Sequence, residues 1–288
     1  MASHAAMPTP ERIDAHHYRI YFSPRDERGR SHIGWLTIDI RQPTRVLDLA
    51  EQPCLEPGMP GTFDESGAMF SCIVRHEHRR WLFYTGWSVG VVTPWRTAIG
   101  LAYADVDADP PRFQRASLAP LLDRSAFDPF FVSNPFVRLS NGRWRMWYVS
   151  GTAWQEAQPV RRARYDVREA ESANGLDWHP AGRVLVGRVH DGEAAIGRPL
   201  VLVEDGIHKM FYCYRGDTFG YRLGYAESAD GMHWVRRDDD IRFDGAPHDW
   251  DNDGSAYPTI FDHDGQRFML YCGNHYSRAG FGIAALMA

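Results

Sequence analysis

The stretch DGEAAIGRPLVLVEDGIHKMFYCYRGDTFGYRLGYAESADGMHW, residues 191–234, decides how the rest of this 288-residue chain is read. Three apolar runs (194–203, 208–214 and 221–227) are split by the turn Glu204-Asp205-Gly206 and by a loop holding Arg215 and Asp217. A last turn, Ser228-Ala229-Asp230-Gly231, leads to Trp234. Short runs rich in aromatic and β-branched residues and divided by Asp-Gly turns read as an antiparallel meander of about four strands.

Versions of this unit recur along the chain. Five inner-strand candidates align: SHAAMPT (3–9), ESGAMFS (65–71), FVSNPFV (131–137), AIGRPLV (195–201) and GSAYPTI (254–260). Four of them place a proline at one position (Pro8, Pro135, Pro199 and Pro258), where the second has Phe70. The following run in each copy carries an aligned tyrosine: Tyr21, Tyr84, Tyr148, Tyr212 and Tyr271. A third run ends in nearly the same turn in two copies, AESANGLDW (170–178) and AESADGMHW (226–234). Self-similarity at this period marks a solenoid, propeller or array. Hairpin pairing within each unit argues against a parallel β-helix, and no helical stretch is long enough for βαβ units. The expectation is an all-β, single-domain five-bladed β-propeller of about four antiparallel strands per blade. Its blades fall at about 2–53, 64–112, 129–180, 193–238 and 253–288. An irregular β-sandwich is the alternative. The fifth unit reaches only a third strand, so its edge needs a cover.

Composition narrows the function classes. With 44% hydrophobic and 24% charged residues the chain reads as globular, and a net charge of −5 gives no reason to expect nucleic acid or an anionic membrane as partner. Cys54, Cys72, Cys213 and Cys272 form no CxxC pair, and three lie in apolar runs. They read as buried free thiols in a reducing compartment rather than as a zinc site. No apolar run spans a bilayer, and no signal-peptide pattern opens the chain, so a cytoplasmic location is expected.

Strand direction sorts the loops onto two faces. Turns such as Ser140-Asn141-Gly142 and Asp262-His263-Asp264-Gly265 fall on one face and read as plain turns. The other face receives the entries to the inner strands, with Asp64 and Glu65, Asp128, Asp191 and Glu193, and Asp249, Asp251 and Asp253; the first entry has His4 instead. The same face receives loops with Arg25 and Asp26, Trp87, Trp95 and Arg96, Trp154 and Arg161, Arg215 and Asp217, and Asn274, His275 and Arg278. Carboxylates from several units ringed by Trp and Arg suit a polyol: indole stacks on sugar C–H faces, carboxylates accept from hydroxyls, and Arg binds anionic groups. Asp64, Glu193 and Asp253 are the catalytic candidates, and Glu65 competes with Asp64 because strand neighbours point opposite ways. His4, Trp87, Trp95, Arg96, Asn134, Trp154, Arg198, Arg215, Asp217, Tyr257 and His275 are candidates for holding substrate. Arg198 reaches the axis only if its strand keeps alternating; a salt bridge to a neighbouring blade is the alternative. Asp128 and Asp249 read as turn formers, and Trp178 and Trp234 as packing residues. His4, His190, His248 and His275 lack a known ligand spacing, so no metal or cofactor is expected.

The elements SNPFVRLSNGRWRMWYVSG (133–151), GRPLVLVEDGIHKMFYCYRG (197–216) and GYAESADGMHW (224–234) resemble the five-bladed propeller glycosidases of glycoside hydrolase families 32, 43 and 68, and are similar to the mannoside phosphorylases of family 130. The resemblance implies a base or nucleophile Asp in the first blade, a stabilising Asp in the second and an acid Glu in the third. This chain has His4 in the first, Asp64 or Glu65 in the second, Ser133 and Asn134 in the third, and Glu193 in the fourth. The resulting expectation is a glycoside hydrolase-like enzyme acting on a saccharide or sugar conjugate. Glu193 would be its general acid, Asp64 its base or nucleophile and Asp253 a stabilising carboxylate, at an inverting separation. A phosphorylase, a lyase, isomerase or cyclase, and a non-catalytic sugar-binding module are the alternatives. A homo-oligomer is compatible with the open edge.

Overall fold

Each repeat folds as an antiparallel meander whose strands follow chain order. The computed structural model describes residues 2–157, 160–241, 243 and 250–286, so His248 and Asp249 lie outside the described residues. The first meander runs through Ser3–Arg12, His17–Arg25, Gly34–Asp39 and Val46–Leu49. The second uses Gly67–His76, Arg79–Val89, Trp95–Asp105 and Gln114–Arg115. The third uses Val132–Ser140, Arg143–Gln155, Arg162–Ser172 and His179–Val186. The fourth uses Glu193–Glu204, Ile207–Gly216, Arg222–Ser228 and Val235–Arg236. The last has three strands, Ala256–His263, Gln266–Cys272 and Phe281–Ala285. A parallel bridge between Tyr165 and Ala195 fuses the third and fourth meanders into one sheet, and a similar bridge joins Ser31 to Gly67.

Among the described residues no sheet closes on itself; side chains bring the meanders together. Tyr21, Phe70 and Tyr84 sit in a core between the first and second meanders, and Phe83, Trp144 and Tyr148 in one between the second and third. Trp147, Val201 and Tyr212 fill the next interface. Tyr18, Ile20 and Leu36 of the first meander pack with Leu270 and Phe261 of the last. All four cysteines are buried and free, as their apolar surroundings led us to expect. Burial pushes the Cys72 thiol up to about 12. Among the described residues, no helix is long and apolar enough to cross a membrane.

The aligned tyrosines are the fixed points of this packing. Tyr84, Tyr148 and Tyr271 each donate their hydroxyl to an aspartate twenty residues earlier: Asp64 at 2.9 Å, Asp128 at 3.0 Å and Asp251 at 2.9 Å. Gly192 stands at that offset in the fourth unit, and Tyr212 turns to Asp238, 2.5 Å away in the short 3-10 turn Asp238–Asp240. Tyr21 uses Glu11 at 2.7 Å. Most of these carboxylates also meet guanidinium groups: Arg115 on Asp64, Arg168 on Asp128, Arg236 on Asp238, and Arg75 with Arg80 on Glu11. A glycine on the adjacent strand lets the ring lie close. A Cβ on Gly100 would come within 2.3 Å of Tyr84, and one on Gly224 within 2.1 Å of Tyr212.

Removing one hydroxyl leaves a buried carboxylate short of a donor. Tyr148→Phe is therefore expected to cost about 1–3 kcal/mol of folding stability, read as a shift in the urea midpoint. Acid sensitivity follows from two other groups. Burial, above all, holds the His32 imidazole below its ordinary 6.5. Hydrogen bonds from Arg267 and Lys209 hold Glu204 at about 2 rather than 4.5. In both cases the unfolded chain binds the proton more readily, so each favours the folded state at higher pH. Stability should be full above 6.5, fall first through the histidine range and fall again between 4.5 and 2. Urea midpoints across that range check this.

Candidate functional site

The inner strands carry a backbone device at their prolines. Met7, Asn134, Arg198 and Tyr257, each directly before the aligned proline, hold φ at 60°, 49°, 58° and 56°. Residues before proline avoid the right-handed helical region, and a non-glycine residue at positive φ costs about 1–3 kcal/mol. Strand register shifts across each of these points, as it does at Phe70–Cys72 in the second unit. Strict alternation therefore fails at the centre of the molecule. Among the described residues, Glu77, Asn141, Asp205 and Asp264 account for the positive φ values in hairpin turns. The remaining non-glycine cases are His4, Met7, Asn134, Arg198, Tyr257 and the run His275-Tyr276-Ser277. Strain of this kind collects where a surrounding structure enforces it, often at functional sites.

Arg198 shows what the bulge does. It is only 4% exposed, and its guanidinium reaches Thr9 Oγ1 at 2.8 Å, Thr259 Oγ1 at 3.4 Å and the Phe70 carbonyl at 3.4 Å. One side chain of the fourth meander thus bonds to the first, second and fifth. The axial position arises from the bulge, and among the described residues Arg198 itself makes no salt bridge to a neighbouring meander. Thr9 and Thr259 also line an apolar cavity of about 330 Å³ with Phe70, Phe136, Leu200 and Phe261, so all five meanders meet there. Arg198 acts as an axial pin and is not exposed to a ligand on the loop face.

That loop face carries a chain of aromatic contacts. Tyr276 packs edge-on against Tyr257 at 5.5 Å, Tyr257 lies 5.5 Å from Tyr221, and the Tyr221 and Tyr165 hydroxyls are 2.7 Å apart. Tyr165 meets Phe131 at 6.0 Å, and Phe131 touches both Trp95 and Trp154, which lie 4.7 Å apart. Arg25 stands over Trp87 at 5.7 Å and over Tyr276 at 5.9 Å. Arg215 stands over Tyr165 at 5.8 Å and over Tyr221 at 5.9 Å. His4 sits near Arg25 and Arg278; burial first, then these two cations, holds its imidazole below the ordinary value. Tyr165 and Tyr257 form a buried floor, while Trp87, Trp95, Trp154, Tyr221 and Arg215 are half-buried around them. Trp87 is fixed by a 2.6 Å bond from its indole N–H to Ser31.

The three expected catalytic carboxylates do not come together. Asp64 is fully buried and engaged by Tyr84, Arg115 and Thr62. Glu193 is 8% exposed, and both its oxygens are bound by Arg236 at 2.8 Å, with a further bond from the Val189 amide. Burial would raise Glu193, but Arg236 and the Val189 amide outweigh it and hold the carboxyl below its ordinary value, the opposite of what a general acid at neutral pH requires. Asp253 is exposed in a polar pocket of about 590 Å³ with Tyr214, Tyr221, Arg222, Asp238 and Asn252, so this pocket borders the aromatic chain at Tyr221. Glu65 precedes its strand and accepts from the Gly61 amide at 2.7 Å, so the choice between it and Asp64 does not turn on strand alternation. Asp217 pairs with Arg164 at 2.6 Å and Arg162 at 3.7 Å. Arg96 and His275 are exposed. His190, Glu193 and Asp238 gather ligand atoms within 4.8 Å, but the Arg236 guanidinium already occupies both carboxylates.

Sequence reading put Trp87, Trp95, Trp154 and Arg215 in loops of one face and Tyr257 in an inner strand, and the structure links Trp95, Trp154, Tyr257 and Arg215 through Tyr165 and Tyr221. Sequence reading missed Tyr165, Tyr221 and Tyr276 as members of the site, because the first two looked like strand residues and Tyr276 lies in a loop. Their signal was the cluster of loop-proximal tyrosines beside Arg215 and Arg278.

No family model matches the chain. Two proteins of Mycobacterium tuberculosis, "Uncharacterized protein MT1551" and "Uncharacterized protein Rv1502", are each 40% identical over 284 residues, which is 99% of this chain and 93% of theirs. Solved structures share the fold at low identity. A protein described as a glycoside hydrolase superposes with a TM-score of 0.76 at 16% identity, over 98% of this chain and 87% of its own. A thermostable family-43 glycoside hydrolase gives 0.65 at 15% identity, over 99% and 90%. An endo-arabinase from Bacteroides thetaiotaomicron gives 0.65 at 14%, over 100% and 95%. The chain belongs to the family of the two mycobacterial proteins, and it has the fold of the propeller glycosidases.

Proposed function

We propose that the five meanders are the blades of one five-bladed propeller domain, and that its loop face holds a saccharide or sugar conjugate. The return of the fifth meander onto the first supports the blade count. The observation that carries the ligand reading is the unbroken run of aromatic contacts from Tyr276 through Tyr257, Tyr221 and Tyr165 to Trp95 and Trp154. Flat aromatic faces beside fixed polar groups match the C–H faces and hydroxyls of a sugar ring. Carbohydrate-active chemistry of the glycosidase kind is the activity this arrangement fits best. Asp64 and Glu193 are assigned to the scaffold within that reading, because their oxygens are already bound by Arg115, Tyr84 and Arg236. Asp253 alone of the original three is open to solvent.

Two outcomes follow. Oligosaccharides that bind should perturb the fluorescence of Trp87, Trp95 and Trp154, and Tyr221→Ala should weaken binding by about tenfold or more. A broad panel of oligosaccharides and aryl glycosides that leaves the fluorescence unchanged would refute the saccharide reading. Asp64→Asn and Glu193→Gln should lower the urea midpoint, and any turnover of aryl glycosides, with or without phosphate, should persist in whatever fraction stays folded. Selective loss of turnover in folded Glu193→Gln protein would return that residue to the role of acid.

A further inference from the structure

We propose that the ligand of this face carries a negatively charged group, a carboxylate or a phosphate, bound by Arg215 and Arg25. The inference rests on the saccharide reading of the face and specifies the class of sugar. It starts from which arginines lack a counter-ion. Most buried and half-buried arginines here are matched to acids, as Arg115 is to Asp64, Arg145 to Glu169 and Arg236 to Glu193. Among the described residues, Arg215, Arg25 and Arg278 on the loop face have no carboxylate within ion-pair distance; Arg198 and Arg138 also lack one, but they donate to hydroxyl and carbonyl oxygens within the fold. Arg215 donates to the Ala163 carbonyl at 3.2 Å, and its other neighbours are the Tyr165 and Tyr221 phenols. The nearest acid in the chain's own loop, Asp217, is taken by Arg164 and Arg162.

The groups around the two arginines do not neutralise them. Arg215 stands over Tyr165 at 5.8 Å and over Tyr221 at 5.9 Å, and Arg25 over Trp87 at 5.7 Å and over Tyr276 at 5.9 Å. Burial raises the Tyr221 phenol well above its ordinary value, so it stays uncharged. The rings attract each guanidinium without neutralising it, so its charge stays available to a carboxylate or phosphate, which a guanidinium can bind through two parallel N–H bonds. A partly desolvated cation without a partner is costly, and an anion brought by the ligand supplies the missing half of the pair. A second group points to the same place. The Asn134 side-chain oxygen is buried without a hydrogen-bond partner, and its amide lies on the same side of Gly197 as the Tyr165 ring. It offers an acceptor for a sugar hydroxyl beside the anion.

The test is calorimetric titration of the full chain with three sets of probes. These are uronic-acid oligosaccharides, hexose phosphates together with inorganic phosphate, and the neutral oligosaccharides of matching length. Uronates or sugar phosphates should bind at least about tenfold more tightly than their neutral counterparts, with the preference shrinking as salt rises. Tighter uronates identify the anion as a carboxylate, and tighter hexose phosphates identify it as a phosphate. Arg215→Gln should abolish most of the preference while Arg215→Lys keeps part of it, both with urea midpoints near that of the parent. Equal binding of charged and neutral sugars would overturn the inference and leave the saccharide reading standing. Retention of the full anionic preference in a folded double variant, Arg215→Gln with Arg25→Gln, would overturn it too. Failure of every sugar to bind would instead remove the saccharide reading on which it rests.

Discussion

The hydrogen bond from a buried tyrosine hydroxyl to a buried carboxylate is the constraint around which this molecule is built. It occurs once per repeat, with Glu11, Asp64, Asp128, Asp238 and Asp251 as the acceptors. Each bond ties a middle strand to a segment outside it, and the rings of Tyr21, Tyr84, Tyr148 and Tyr212 sit in the cores between neighbouring meanders, while Tyr271 packs on Trp250. A buried carboxylate is tolerable only when its oxygens are occupied, so the arginines that complete these pairs are part of the same device. The last unit, with three strands among the described residues, keeps the bond, and so does the fourth, where the acceptor follows the tyrosine in sequence. The interaction is thus held more strictly than the strand count.

This constraint also decides which acids are open to chemistry. A carboxylate buried from solvent, with both oxygens already engaged, is poorly placed to exchange a proton with a substrate. Asp64 is engaged by Tyr84, Arg115 and Thr62, and Glu193 by Arg236 and the Val189 amide. What the loop face presents instead is aromatic area and guanidinium groups. Its strained pre-proline bulges turn Asn134 and Tyr257 toward the centre, and the left-handed run at His275–Ser277 brings Tyr276 over Tyr257. The fold is that of the propeller glycosidases, yet the polar groups at its centre differ from the acid pattern that the resemblance implies, and function has to be argued from the groups present.

Much of the architecture was legible in the sequence because hairpin turns, aligned tyrosines and the prolines within the inner strands are local signals. The twenty-residue offset between Asp64 and Tyr84, Asp128 and Tyr148, and Asp251 and Tyr271 was also there, and it separates scaffold acids from candidate catalysts. Asp128 was read as a turn former, and its side chain does meet Ser125 within the turn as well as Tyr148. Asp64 looked catalytic because the entries to three inner strands carry acids at Asp64, Glu193 and Asp253; of these, only Asp64 stands at the twenty-residue offset, where it accepts from Tyr84. The axial position of Arg198 could not be derived from alternation, since the bulge at Pro199 breaks the two-residue period. Nor could the pairing of Tyr165 with Tyr221, which depends on how the third and fourth meanders dock through Tyr165 and Ala195.

The central claim is that the aromatic loop face, and not the apolar axial cavity, is where this protein meets its ligand. A crystal structure of the chain with a bound acidic oligosaccharide tests it most directly. The account predicts sugar density against Tyr165, Tyr221 and Tyr276, with a charged group within hydrogen-bond distance of the Arg215 or Arg25 guanidinium. Density confined to the cavity lined by Phe70, Phe136 and Phe261, or seated on Asp253 and Arg222 with no contact to Tyr165, Tyr276, Arg215 or Arg25, would contradict it.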